Sequence, residues 1–201
     1  PPPPETKSVS FIAAGDNIIY KGNWVDAARG QAKGEYDFAK MYARVASVIA
    51  GADIAVINQE TLMCGDGFEL DSYPQFNSPQ KAGIDLLSVG FDVVGMANNH
   101  MADKGAKGLS ETIAFWKNAT GNGTLMVGGY EDEADYERIR TLERGGITFA
   151  FLAYTYGTNL SLKADAPVIP VFDEAVCRRQ IAAARKIADV VVVLAHWGSE
   201  T

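Results

Sequence analysis

The chain has 201 residues, 47% hydrophobic and 21% charged, with a net charge of −7 and no basic cluster. That size supports one well-buried domain, and the acidic balance argues against a nucleic-acid partner. The longest apolar runs, such as Asp189 to Ala195, are too short to span a bilayer. Cys64 and Cys177 form no CxxC pair, which excludes a disulfide-rich scaffold and a cysteine-ligated zinc site. Short N-glycosylation patterns at Asn118, Asn122 and Asn159 are expected by chance and carry no weight.

The opening "PPPPETKS" favours polyproline II and cannot join a core. Residues 1–7 are therefore expected to be a linker, either a plain disordered tail or a stalk that holds residues 8–201 away from a membrane anchor. Ser8 to Asp16 reads as a short buried strand with a polar end. From Glu35 to Gly51 the spacing predicts one helix with Phe38, Met41, Tyr42, Val45, Val48 and Ile49 on its apolar face. Asp53 to Glu60 is a second strand, followed by a long loop to about Gln75. A helix with Ser78 as N-cap, Pro79 in its first turn and Gly90 at its end comes next. Phe91 to Ala97 is a third strand, Ala106 to Ala119 a helix, and "TLMVGG" a fourth strand. A hairpin turns through Gly145-Gly146. The helix "DEAVCRRQIAAARKIAD" and the strand "VVVVLAH" complete the pattern. Fully apolar strands alternating with helices imply an α/β fold, a parallel sheet covered on both faces with one inserted antiparallel hairpin. Ligands of such sheets bind beyond the carboxyl ends of the strands.

The strand ends carry the chemistry. The first ends in Asp16 and the second in Asn58 and Glu60. The third ends in Asn98, Asn99 and His100, with Asp103 one turn later, and the last in His196, with Glu200 shortly after. Taken singly, each is an ordinary turn former, helix cap or solvated residue. Both histidines of the chain nevertheless fall on one expected rim with several carboxylates and amides. Carboxylate oxygen, amide oxygen and imidazole nitrogen suit a divalent cation such as Mn, Fe or Zn. Such an ion would relieve the repulsion among the carboxylates and could activate water. Ser199 lies near His196, but no nucleophile-elbow pattern surrounds it, and no GxxxxGK[ST] loop is present.

The segments "AAGDNII", "VINQET", "FDVVGMANNHMADKG", "LMVGGYEDEA", "ITFAFLAYTYG" and "VVVVLAHWGSE" occur in this order. In them the chain resembles the CapA-like family of bacterial poly-γ-glutamate capsule proteins, from about Ser8 to its last residue. The "ANNHxxDxG" and "HWGxE" segments are the most specific. The family is similar in fold to calcineurin-like metallophosphoesterases, a sandwich of mixed, mainly parallel β-sheets flanked by helices. The resemblance implies Asp16, Glu60, Asn99 and His196 as ligands of one or two divalent metal ions. It implies His100 as the group that stabilises or protonates a phosphoryl leaving group, and Asp103 as the residue that orients it. Asn17, Asn58, Asn98 and Glu200 would meet substrate or support the ligands.

Two departures accompany it. The wider superfamily has a histidine two residues after its first aspartate, where this chain has Ile18. The family pattern also continues past "HWGxE" to a further strand and a histidine-rich loop, so this sequence is expected to lack the C-terminal part of the domain. Two functions remain open. One is a metal-dependent hydrolase of a phosphoester or related bond. The other is a non-catalytic, membrane-tethered component that binds or exports an anionic polymer beside other membrane proteins of capsule synthesis. Either implies the extracellular face of a bacterial membrane, reached through an N-terminal anchor.

Overall fold

The computed structural model describes residues 6–121, 123–163 and 166–198. In chain order the elements are β1 (Phe11–Asn17), α1 (Lys21–Ala27), α2 (Ala39–Tyr42), α3 (Ala46–Ala50), β2 (Ile54–Gln59), α4 (Gln80–Val89) and β3 (Val93–Gly95). They continue with α5 (Gly105–Ala119), β4 (Leu125–Val127), α6 (Glu133–Glu137), β5 (Arg140–Arg144), β6 (Ile147–Thr155), α7 (Glu174–Ala184) and β7 (Val190–His196).

Successive strand residues point to opposite faces, so a strand apolar on both faces must be covered twice. β2 shows this. Ala55 and Ile57 pack with Val94 and Met126 against Trp24, Tyr42, Leu86, Leu109 and Trp116 from the helices. Ile54 and Val56 face the other way and join Val93 and Val127 against Leu142, Phe149, Phe151 and Ala153. β6 repeats the pattern, because Ala150, Leu152 and Tyr154 pack on Cys177 and Ala184 of α7. The layers therefore run helices, sheet, sheet, helix. The first sheet has order β1-β2-β3-β4 with every pair parallel. The second has order β5-β6-β7, antiparallel between β5 and β6 and parallel between β6 and β7. This is the expected metallophosphoesterase-like sandwich.

Several sequence-based expectations need correction. The hairpin does turn at Gly145 and Gly146, both at positive φ (56° and 72°), as a two-residue turn requires. It is not inserted into a single parallel sheet, however. It founds the second sheet and takes β7 with it, since Phe149 to Thr155 pair with Val190 to His196. The helix expected across Glu35 to Gly51 is two short pieces, α2 and α3. Phe38, Tyr42 and Ile49 are buried, while Met41, Val45 and Val48 are exposed. The apolar stripe was wider than the face that the sheet could cover, and Val45 (φ −113°, ψ −9°) departs from regular helix between the pieces. Ser78 does not cap α4. Pro79, with ψ 133°, occupies the cap position, and the Ser78 hydroxyl donates to Thr61 Oγ1 at 2.8 Å. Gly90 does end α4, at φ 114°. The short helices α1 and α6 were not anticipated. Residues 1–5 of the expected linker lie outside the described residues. No helix among those residues is long and apolar enough to cross a membrane.

Close approach fixes how the sheets meet. Gly128, just beyond β4, has φ 98°, and a Cβ there would lie 2.6 Å from Ala97 N and 3.0 Å from Ala153 Cβ. Both neighbours belong to fixed backbone of the sheet layers and cannot swing aside. Gly128→Ala should therefore destabilise the protein by about 2–4 kcal/mol through strain and overpacking. Urea unfolding measures this, and a loss under about 0.5 kcal/mol, the size of an ordinary surface change, would show that the layers can part freely there.

Candidate metal centre

The parallel strands of the first sheet deliver their carboxyl ends to one rim, but parity decides which side chains meet. β1 pairs with β2 as Ala13↔Val56 and then Asp16↔Asn58, so β1 carries one extra residue between these pairs. Val56 belongs to the layer between the sheets. The bulge therefore turns Asp16 to that inner side, which regular pairing would have given to Gly15. In β7, Val192 and Leu194 also face the inner layer, and by the same alternation so does His196. The two meet, with Asp16 Oδ1 3.3 Å from His196 Nδ1. Asn58 Nδ2 donates to Asp16 Oδ1 at 2.6 Å. Asn17 goes to the opposite face. Its amide bonds Gln59 Oε1 at 2.6 Å and the Tyr42 hydroxyl at 3.0 Å. Burial pushes Tyr42 up to about 12, so it stays a neutral phenol. Asn17 thus ties the strand ends to α2 and does not reach the cluster.

The segment after β3 folds around its own amides. Asn98 Oδ1 accepts the His100 N–H at 2.9 Å, and its Nδ2 donates to Met96 O and Gln59 O. Asn98 is therefore a support for the loop. Asn99 Oδ1 lies 2.9 Å from His196 Nε2, and its Nδ2 donates to Asn159 Oδ1 at 3.3 Å. His100 Nδ1 is 2.7 Å from Asp103 Oδ2, and Nε2 is 3.7 Å from Glu60 Oε1. The edge of Phe76 packs on the His100 ring at 4.7 Å. Asp103, its side chain fully buried, also accepts the Phe76 N–H at 2.7 Å. A carboxylate on one imidazole nitrogen sets ring orientation, and here it turns Nε2 toward Glu60.

Asn159 and Phe76 were missed by sequence reasoning. Asn159, on the loop after β6, also donates its N–H to Asn99 O at 2.8 Å and sets Nδ2 3.4 Å from His100 Nδ1. The only local signal at Asn159 was a chance glycosylation pattern, and no motif singles out Phe76. Glu200 lies outside the described residues.

The strand-end groups floor a pocket of about 370 Å³, lined by Asp16, Ile18, Glu60, His100 and His196 with several aromatic residues and no Lys or Arg. One ligand atom each from Asp16, Glu60 and His196 lie within 4.8 Å of one another. Two carboxylates and an imidazole, with the Asn99 amide oxygen beside them, are a donor set that fits a hard-to-borderline divalent ion. Ile18 brings no donor. Cys64 is buried, and burial pushes its thiol up to about 11, so it offers no thiolate.

The fold is a two-sheet α/β sandwich of metallophosphoesterase-like architecture, and carboxylates, amides and imidazoles gather at its strand ends. The profile of the family described as bacterial capsule synthesis protein PGA_cap matches residues 10–201, and the chain belongs to that family. Among curated relatives, it is 32% identical over 117 residues to the PGA biosynthesis protein CapA of Bacillus subtilis, covering 57% of this chain and 30% of that protein. It is 34% identical over 121 residues to the capsule biosynthesis protein CapA of Bacillus anthracis, covering 57% and 29%. A Mycobacterium tuberculosis protein named as a polyglutamine synthesis accessory protein is 28% identical over 161 residues, 73% of this chain and 42% of that one. The matched region thus spans about a third of the length of the two CapA relatives.

Replacing Asp103 by Ala removes the acceptor of a buried N–H and the partner of His100. Asp103→Ala should cost about 1–3 kcal/mol in urea unfolding. An unchanged midpoint would show that the loop holds its shape without this carboxylate.

Proposed function

We propose that this domain is a metal-dependent hydrolase of a phosphoester or related bond, working in the synthesis of a bacterial envelope polymer. The observation that carries the reading is the convergence of Asp16, Glu60 and His196 from three strand ends, with Asn99 against His196 and His100 on the far side of Glu60. Asp16, Glu60, Asn99 and His196 would hold the ion, which supplies Lewis acidity and relieves repulsion between the carboxylates. One ion or two, Mn, Fe or Zn, suits these donors. His100, held at Nδ1 by Asp103, keeps Nε2 for the leaving oxygen as hydrogen-bond or proton donor. Phe76 closes one side of the ring to water. The names of the relatives support the polymer context and association with the cell envelope; a place at the outer face of the membrane, reached through an N-terminal anchor, is part of the same proposal. Partners among the membrane components of capsule synthesis belong to the same reading. Ile18 in the pocket favours a second reading, a polymer-binding component whose metal set has lost a donor.

The natural-length gene product, purified without chelators, should contain one or two metal ions per chain by elemental analysis, and a Glu60→Ala/His196→Ala variant none. A metal-free parent protein would sink the hydrolase in favour of the polymer-binding component. With a chromogenic phosphodiester, Asp16→Ala should abolish turnover. His100→Ala should lower kcat by about a hundredfold or more while retaining its metal. Full activity in both variants would remove these residues from the mechanism.

A further inference from the structure

Exposed tyrosines and tryptophans are distributed unevenly over the surface, whereas the exposed phenylalanines, Phe11 and Phe172, lie outside the pocket described above. Among the described residues, the exposed tyrosines and tryptophans are Tyr20 (46%), Tyr73 (71%), Tyr156 (45%) and Trp197 (63%). All four line the pocket that holds Asp16, Glu60, His100 and His196. They come from four separate segments: the turn after β1, the long loop before α4, the loop after β6 and the residue after β7. Large rings cost hydration free energy when left in water, so a set gathered around one pocket marks a binding mouth.

Three of the rings lie against another ring. Trp197 packs edge-on against Phe172 at 4.8 Å, Tyr20 against Phe76 at 5.2 Å, and Tyr156 stacks on His196 at 6.1 Å. Each such contact restricts the rotation of its ring and lowers the freedom lost when something binds. The charges of the lining are equally selective. Asp16 and Glu60 are acidic, and among the described residues neither Lys nor Arg lines the pocket. A polyanion would find no cationic side chain here to replace its hydration. An uncharged ring with an apolar face and hydroxyl edges would find partners for both, the aromatic faces for its C–H groups and the tyrosine hydroxyls and the Asp16 carboxylate for its hydroxyls.

We propose that this aromatic mouth takes a neutral sugar ring, so that the bond presented to the strand-end cluster belongs to a glycan-borne substrate. The inference rests on reading the pocket as the substrate site, and it names the substrate class of that site. It places the recognition in Tyr73 and Trp197, the two most exposed rings, which lie outside the donor set.

The test is calorimetric titration of the natural-length gene product in the presence of EDTA. The probes are chitotetraose, maltotetraose, tetra-γ-glutamate and adenosine, and Tyr73→Ala and Trp197→Ala run alongside. At least one oligosaccharide should bind, with affinity reduced about tenfold in each variant, as loss of a stacking ring predicts. The proposal is overturned if neither oligosaccharide binds, if binding is unchanged in both variants, or if only tetra-γ-glutamate or adenosine binds. The chelator separates the two readings. A protein that holds no metal can still pass this test, and a metal-loaded protein can still fail it.

Discussion

The apolar layer between the two sheets is the contact on which everything at the rim depends. Ile54, Val56, Val93 and Val127 on one side meet Leu142, Phe149, Phe151 and Ala153 on the other. The functional groups are divided between the same two sheets. Asp16, Glu60, Asn99 and His100 come from the first, and His196 and Asn159 from the second. Neither sheet holds a complete donor set. Close packing resists small slips, and Gly95 removes a side chain where Leu194 of β7 approaches, since a Cβ there would lie 2.7 Å from Leu194 Cδ2. Gly95 thus lets Leu194 lie over the end of β3, beside a pocket of about 230 Å³ lined by Ala13, Asp16, Val56, Val192 and His196, and groups distant in sequence meet at its upper end.

Above that layer, orientation is set by amides. Asn58 holds Asp16, Asn98 holds the backbone of His100, and Asn159 holds Asn99. An amide both donates and accepts, and it adds no charge. That matters where two carboxylates already share a pocket. Lysines or arginines in the same roles would neutralise the acids and remove the reason for a cation to enter. Asp103 is the exception, and it is spent on His100 and Phe76.

Most of the fold was legible because apolar runs bounded by turn residues report strands and helices directly. The rim was legible because strand ends of a parallel sheet lie together by topology. Strand partnership was not legible. β7 reads like any buried parallel strand, and nothing in its own residues says that it pairs with β6. Parity at the end of β1 was also hidden, so Asn17 was expected at the site beside Asp16 although the two face opposite layers. Asn159 and Phe76 escaped for a related reason. Each contributes by touching a residue far away in sequence, and neither carries a local pattern that says so.

The extra residue in β1 has a genetic consequence. Loss of one codon between Ala13 and Asp16 would remove the bulge and set Asp16 two residues beyond Ala13, still opposite Asn58 and still on the inner side. Asn17 would keep its helix-facing place, and the apolar pairs Phe11↔Ile54 and Ala13↔Val56 would stay as they are. A substitution that flattened the bulge without shortening the strand would do the opposite, moving Gly15 opposite Asn58 and turning the carboxylate to the helices. At this point of the gene a one-codon deletion is thus milder than a change that keeps every codon and alters only the pairing.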